Sequence, residues 1–399
     1  MSIVTADIPG VEPAAAAPGT ATPFGVNEMR LTPRQWLATL AIVAACWVLI
    51  PWAWKRLEPF HPGPDYRIPY ALSKDYWLYE RRLERNVRPD QVPILGDSVV
   101  WGEYVRPDGT LSHFLNRLAG GDNDRFLNGG VNGMFPLALE GLVADYGRAI
   151  RGRKVIVQCN VLWWTSPKAD LSVPAPGGIN HSRLLPQLGD RVPPAYRAGA
   201  DERLAALIHR HVDFLAWTDH LENAYYDQRG IPQWTLEEDA ADEPGYPNAW
   251  RNPLAPIIAG IPGEPEHDPR RGPSSPRHRP WTAGGGEPAH FDWVDLDASL
   301  QWQAFRGVVE LLRARGNDVL VVLGPFNEHM IADDQRPAFR SMRDQVRDRL
   351  RQMRVGVIVP QALPSDLYAD ASHPLTGGYE LLARRIWSDP SFRRWLASR

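Results

Sequence analysis

The chain is poor in cysteine, with two in 399 residues. Cys46 falls in a long apolar segment and Cys159 in a candidate core strand. No disulfide framework is expected, and cysteine usage leaves the compartment open. Neither charge is in excess. Lys and Arg total 44 against 47 Asp and Glu, a net charge of -3. That balance gives no basic field for nucleic acid, so none is expected as a partner. Zinc-ligand spacings, phosphate loops and dinucleotide fingerprints are all missing, so no metal or cofactor is expected. No internal repeat appears either. Proline and tryptophan are plentiful instead, at 38 and 16 residues, many of them mid-chain. The composition is globular, and the length suits one large domain or two ordinary ones.

Residues 1–34 are rich in Ala, Pro, Gly and Thr without apolar period, which predicts a disordered tail. Trp36 to Trp54 differ: WLATLAIVAACWVLIPWAW carries no charge. At ~1.5 Å per residue it is about long enough to cross a bilayer. Trp36, Trp52 and Trp54 near its ends suit the interfacial aromatic belt. A buried helix of a soluble core is the plain alternative, but the segment has no polar face. A cleaved signal peptide fits less well, because the polar lead is long and the apolar run is full length. Val43-Ala44-Ala45-Cys46 resembles a lipoprotein processing site, but apolar residues continue past it. The expected layout is a tail at 1–34, a single-pass transmembrane anchor at 35–55 and a linker with lead-in at 56–90. A catalytic domain at 91–399 follows, with an insertion at 162–297. Arg30 and Arg34 precede the span; Lys55, Arg56, Arg67 and Lys74 follow it. That count favours a cytoplasmic C-terminal side, although large domains translocate largely regardless of flanking charge.

Beyond residue 60 apolar runs alternate with amphipathic segments. Strands are predicted at Gln91–Leu95, Arg125–Leu127, Lys154–Gln158, Asp318–Leu323 and Val355–Val359. Helices are predicted at Leu111–Leu118, around Leu137–Ile150, at Ser299–Arg315, at Pro337–Met353 and from Thr376 through Ile386. Strand followed by helix, five times, implies a parallel sheet covered on both faces. The expected fold is a flavodoxin-like, doubly wound, five-stranded α/β domain. The insertion holds one plausible helix, Asp201–Tyr226, and a Pro-, Gly- and Arg-rich stretch from about Glu238 to Pro288.

Ligand sites in open parallel sheets lie at the carboxyl ends of the strands. There the first strand gives Gly96-Asp97-Ser98 and the second Asn128-Gly129-Gly130-Val131-Asn132-Gly133. The third gives Cys159-Asn160, and the fourth Gly324-Pro325-Phe326-Asn327-Glu328-His329. The loop after the fifth gives Asp370-Ala371-Ser372-His373-Pro374. Each block alone reads as a turn, a cap or a local hydrogen bond. Together, in order and on one edge, they supply a nucleophile, amide donors, a carboxylate and a histidine.

These blocks resemble the SGNH, or GDSL-type, hydrolase superfamily. The match lies in Gly96-Asp97-Ser98; in Asn128, Gly130 and Gly133; in Asn160; and in Asp370-x-x-His373, with Gly324-Pro325, His373-Pro374 and Gly378-Tyr379 also fitting. It covers residues 92–160 and 317–387, not the anchor or the insertion. Where the family has Gly-x-Asn-Asp, the third block reads Gln158-Cys159-Asn160-Val161, keeping only the Asn.

The resemblance implies Ser98 as nucleophile, His373 as base and Asp370 as the carboxylate orienting it. It assigns the oxyanion hole to the Ser98 and Gly133 backbone N–H groups and the Asn160 side chain. Asp97 reads as a turn carboxylate bonding local amides. His329 reads as structural, and His209, His211 and His220 give no metal spacing. Trp163, Trp164, Trp234, Trp250, Trp281 and Trp293 suit either stacking on sugar rings or packing a satellite core.

The leading expectation is a membrane-anchored serine esterase. It would remove a small acyl group, acetyl first, from a carbohydrate or other polar alcohol. An O-acyltransferase acting on a polysaccharide, with a membrane acyl-donor partner, is the second reading. A non-catalytic membrane scaffold is the third. By analogy with anchored cell-envelope members, the domain is expected outside the cytoplasm.

Overall fold

The computed structural model describes residues 31–398 except 64, 87, 89, 121–123, 175–177, 237–251 and 262–278. The tail at 1–34 therefore lies almost wholly outside the described residues, as does most of the Pro-, Gly- and Arg-rich stretch. Two compact units are present, Met1–Leu49 and Ile50–Arg399. Helix α1 (Pro33–Leu57) begins in the first. It is long and apolar enough to cross a membrane, with a mean hydropathy of 2.0 over its best stretch. Its apolar side chains, Leu37 and Val48 among them, stand exposed, unlike those of a soluble core helix.

The second unit is built on five parallel strands: β1 (Val92–Gly96), β2 (Phe126–Gly130), β3 (Lys154–Cys159), β4 (Asp318–Leu323) and β5 (Gly356–Ile358). Their order is 2-1-3-4-5, the flavodoxin-like one. The register sets Gly96 opposite Gly130, Ile94 opposite Ile156 and Val157 opposite Val321. Strands buried on both faces are apolar along most of their length, and that is why Val155–Val157 of β3 and Val319–Leu323 of β4 read as unbroken runs.

Helix α2 (Tyr76–Asn86) precedes the sheet. Helices α3 (Ser98–Trp101), α4 (Leu111–Leu118) and α5 (Pro136–Asp145) connect its first strands. The insertion contributes α6 (Ala200–His211), α7 (Asp213–Tyr225), α8 (Ile231–Leu236) and α9 (Ala255–Ala259). Helices α10 (Leu300–Ala314), α11 (Arg336–Gln352), α12 (Thr376–Ser388) and α13 (Pro390–Ala397) complete the chain. Alternate strand residues feed two cores. Val155, Val157 and Val321 pack with Leu139, Phe305 and Val346, on α5, α10 and α11. Ile94, Ile156 and Leu320 pack with Leu115, Tyr379 and Phe392, on α4, α12 and α13. The sheet is thus covered on both faces.

Three features depart from the sequence-based picture. The helix expected at Asp201–Tyr226 is two helices, broken at Val212 (φ -113°, ψ 100°). Within 56–90, α2 buries Trp77, Leu78, Tyr79 and Leu83. Trp163 and Trp164 are fully buried against Phe305 and Trp302, so they are core residues and not a sugar platform.

Candidate active site

β1 delivers its chain into α3 through Asp97. Asp97 is extended (φ -89°, ψ -153°) and caps α3 by accepting from the Val99 N–H at 2.8 Å. Ser98 is then the first residue of the helix. A Cβ at Gly130 would stand 2.3 Å from the Trp101 nitrogen, so only glycine lets β2 pass beneath α3. Tyr379 Oη donates to the Val99 carbonyl at 2.7 Å and ties α12 to this elbow.

The Asp370–His373 loop, between β5 and α12, meets Ser98. His373 Nε2 lies 2.7 Å from Ser98 Oγ. His373 Nδ1 lies 2.8 Å from both Asp370 oxygens. Asp370 Oδ1 also accepts from the Ser372 and His373 N–H groups, each at 2.9 Å. Asn327, after β4, holds the loop from below: its N–H donates to Ala371 O at 2.8 Å and its Nδ2 to Asp370 O at 3.1 Å. Ser98, His373 and Asp370 therefore form one hydrogen-bonded chain, so the structure brings together the three residues that the resemblance singled out.

Burial alone would push the His373 imidazole down, but the Asp370 charge and hydrogen bond outweigh it, so its pKa is raised from 6.5. Burial alone would raise Asp370, but the His373 charge and the surrounding donors hold it down at about 2. Asp97 is pushed up by burial, against hydrogen bonds from Asn160 and the Val99 N–H.

The expected oxyanion donors are arranged unequally. Asn160 is wholly buried. Its Nδ2 donates to Asp97 Oδ2 at 2.9 Å, and its Oδ1 accepts from the Leu162 N–H at 3.0 Å. Asp97 thus does more than cap α3, because it also fixes the Asn160 amide. Gly133 sits after β2 at φ +71°, and a Cβ there would meet Asn180 Nδ2 at 2.7 Å. Among the described residues, neither the Ser98 nor the Gly133 N–H is taken up by another hydrogen bond.

Several supporting residues escaped the sequence reading. Tyr104 Oη donates to Asp370 Oδ2 at 3.0 Å, and its ring meets His373 edge to face at 5.3 Å. His181 Nε2 lies 2.7 Å from Asn132 O, and its Nδ1 lies 2.9 Å from Tyr76 Oη. The insertion and α2 together hold the turn that carries Gly133. Tyr104 has no motif spacing, and Asn180 and His181 meet Gly133 only through long-range folding. Three of the other histidines have structural partners. His329 pairs with Leu363 O at 3.0 Å, His209 with Asp219 at 2.8 Å, and His220 with Asp75 and Glu58. Trp234 packs on Tyr226, Trp281 bonds Ser365 and Trp293 packs on Phe326 and Phe339. Trp250 lies outside the described residues.

No family model matches the chain, and neither does any curated protein. What the site can do rests on its geometry. A serine hydroxyl in reach of an imidazole, whose other nitrogen is held by a carboxylate, is equipped for nucleophilic attack on a carbonyl carbon.

Proposed function

We propose that the chain is a membrane-anchored serine esterase of the SGNH superfamily, releasing an acyl group from a carbohydrate or other polar alcohol. The observation that carries this reading is the relay from Ser98 Oγ to His373 Nε2 at 2.7 Å and from Nδ1 to Asp370 at 2.8 Å. His373 takes the Ser98 proton as Oγ attacks the ester carbon. The oxyanion is received by the Ser98 and Gly133 N–H groups and by the second hydrogen of Asn160 Nδ2. His373 then protonates the leaving alcohol, and water repeats the cycle on the acyl-enzyme. Loss of one oxyanion donor typically costs about 3 kcal/mol in barrier. Residues 36–54 anchor the protein, with the catalytic unit outside the cytoplasm, where acylated envelope sugars are within reach.

The test is fluorophosphonate labelling of the detergent-solubilised full chain, beside its Ser98→Ala and His373→Ala variants. Label on the wild type alone is the expected result. No label on folded wild type would remove the hydrolytic reading, and label persisting in His373→Ala would remove His373 from the mechanism.

A further inference from the structure

Beside the Gly133 turn lies a cavity of about 180 Å³ that the reading above leaves unused. Its walls are Phe135, Ala138, Leu171, Ile179 and Leu185, and Gly133 itself forms one edge. Ala138 and Leu185, at 2% and 1% exposure, make the floor. Lys168, Gly178 and Asn180 are exposed and make the rim. The cavity spans two parts of the chain: α5 and its lead-in on one side, the start of the insertion on the other. Each part would expose its apolar face without the other.

We propose that this cavity is the acyl pocket, and that it selects an unbranched apolar acyl chain of several carbons over acetyl. The inference rests on the serine esterase reading and deepens it. Gly133 is the link, because the same residue offers its N–H to the oxyanion and lines the cavity. An ester carbonyl held by that N–H would bring its acyl carbon to Gly133, at the edge of the cavity. A water-sized group fills about 10–15 Å³ of such space, so acetyl would leave most of it empty. Apolar walls reward each methylene taken from water, up to about fourfold in rate per methylene. The closed floor limits length, and the polar rim keeps a sugar or other polar alcohol on the solvent side. The insertion is thus a specificity element, placed by Asn180 against Gly133.

The experiment follows nitrophenol release by the full-length protein from p-nitrophenyl acetate, butyrate, hexanoate and decanoate. Release reports formation of the acyl-enzyme whether water or a sugar later accepts the acyl group. In the wild type kcat/KM is expected to rise about ten- to a hundredfold from acetate to hexanoate, within the fourfold ceiling per methylene. Ile179→Trp fills the cavity and is expected to collapse the hexanoate-to-acetate ratio. Phe135→Ala widens it and is expected to raise the decanoate-to-hexanoate ratio. Ratios within one preparation cancel the amount of folded protein, so a partly unfolded variant still reports its chain-length preference. A flat profile, or a preference for acetate, with Ser98 still labelled by fluorophosphonate, overturns the pocket and leaves the esterase. A chain-length gain seen with acetate esters of lengthening alcohols, and lost in Ile179→Trp, assigns the cavity to the alcohol and overturns it as well. No label on Ser98 and no nitrophenol release overturn the esterase reading and the pocket with it.

Discussion

Asn160 donates through Nδ2 to Asp97 Oδ2 at 2.9 Å, and both side chains are buried. The bond fixes one hydrogen of the amide and leaves the other for the oxyanion of the proposed mechanism. Two losses are therefore expected in Asn160→Ala. Leaving Asp97 short of a buried partner lowers stability by about 1–3 kcal/mol. Losing an oxyanion donor lowers the acylation rate about 10²–10³-fold. Denaturant unfolding and nitrophenol release measure the two separately. A rate loss that only follows the folded fraction would make Asn160 a structural partner of Asp97 and nothing more.

The proposed acylation needs His373 neutral, and Asp370 raises its pKa above 6.5. The acylation rate is therefore expected to climb with pH, with its midpoint above 6.5. In Asp370→Asn burial acts without the opposing charge, so the midpoint falls below that of the wild type. The same shifts bear on stability. The raised His373 contributes stability present below pH 6.5 and lost as pH rises through its folded value. Asp370 contributes stability present above 3.8 and lost as pH falls toward about 2. A pH–rate profile of nitrophenol release from both proteins checks this, and a midpoint indifferent to Asp370→Asn would detach the carboxylate from the base.

Tyr104 touches the relay twice, by its hydroxyl on Asp370 and its ring edge on His373. Tyr104→Phe keeps the ring and deletes one hydrogen bond of about 0.5–1.5 kcal/mol. An acylation rate lower by about two- to tenfold is expected, because Asp370 loses one of the groups that orient it. Tyr104→Leu also removes the ring that braces the imidazole, and a larger drop is expected. Equal rates in all three proteins would reduce Tyr104 to a bystander.

Much of this fold was legible because parallel strands buried on both faces read as continuous apolar runs. Lys154–Cys159 and Asp318–Leu323 are plain in the chain for that reason. Ser98, Asp370 and His373 could be singled out because Ser98 follows directly on β1 and the other two share the loop before α12. Helix α2 was hidden because YWLYERRLERN sets three arginines and two glutamates among few apolar positions, and even Arg81 and Arg82 are buried. The break at Val212 left a trace that could have been used. Arg210 lies in the last turn of one helix and Asp213 opens the next, each charge suited to its helix end. The contact of Asn180 with Gly133 left none, since it joins segments brought together only by the insertion's irregular path.

The residues just past α1 are locked to the insertion by a buried polar network. Arg81 donates to Glu58 Oε2, and the Tyr225 hydroxyl donates to Glu58 Oε1. His220 stands between Glu58 Oε1 at 2.8 Å and Asp75 Oδ2 at 2.7 Å, stacked on Trp77 at 4.4 Å. Glu58, Asp75, Arg81 and His220 are all at most 5% exposed. The two buried carboxylates are held by one guanidinium, one imidazole, the Tyr225 hydroxyl and the Leu78 N–H. Removing the guanidinium in Arg81→Met leaves Glu58 undercompensated, so a loss of about 3–5 kcal/mol in unfolding free energy is expected. The relay at Ser98 takes no residue from this network, so fluorophosphonate labelling per folded molecule should match the wild type. Arg81→Met and Glu58→Gln/Arg81→Met, compared by urea unfolding, separate the undercompensated charge from lost packing. The double variant removes the buried charge with its partner and is expected to recover part of the loss. A single variant within about 1 kcal/mol of wild type would show that water reaches Glu58 and that the network carries no such strain.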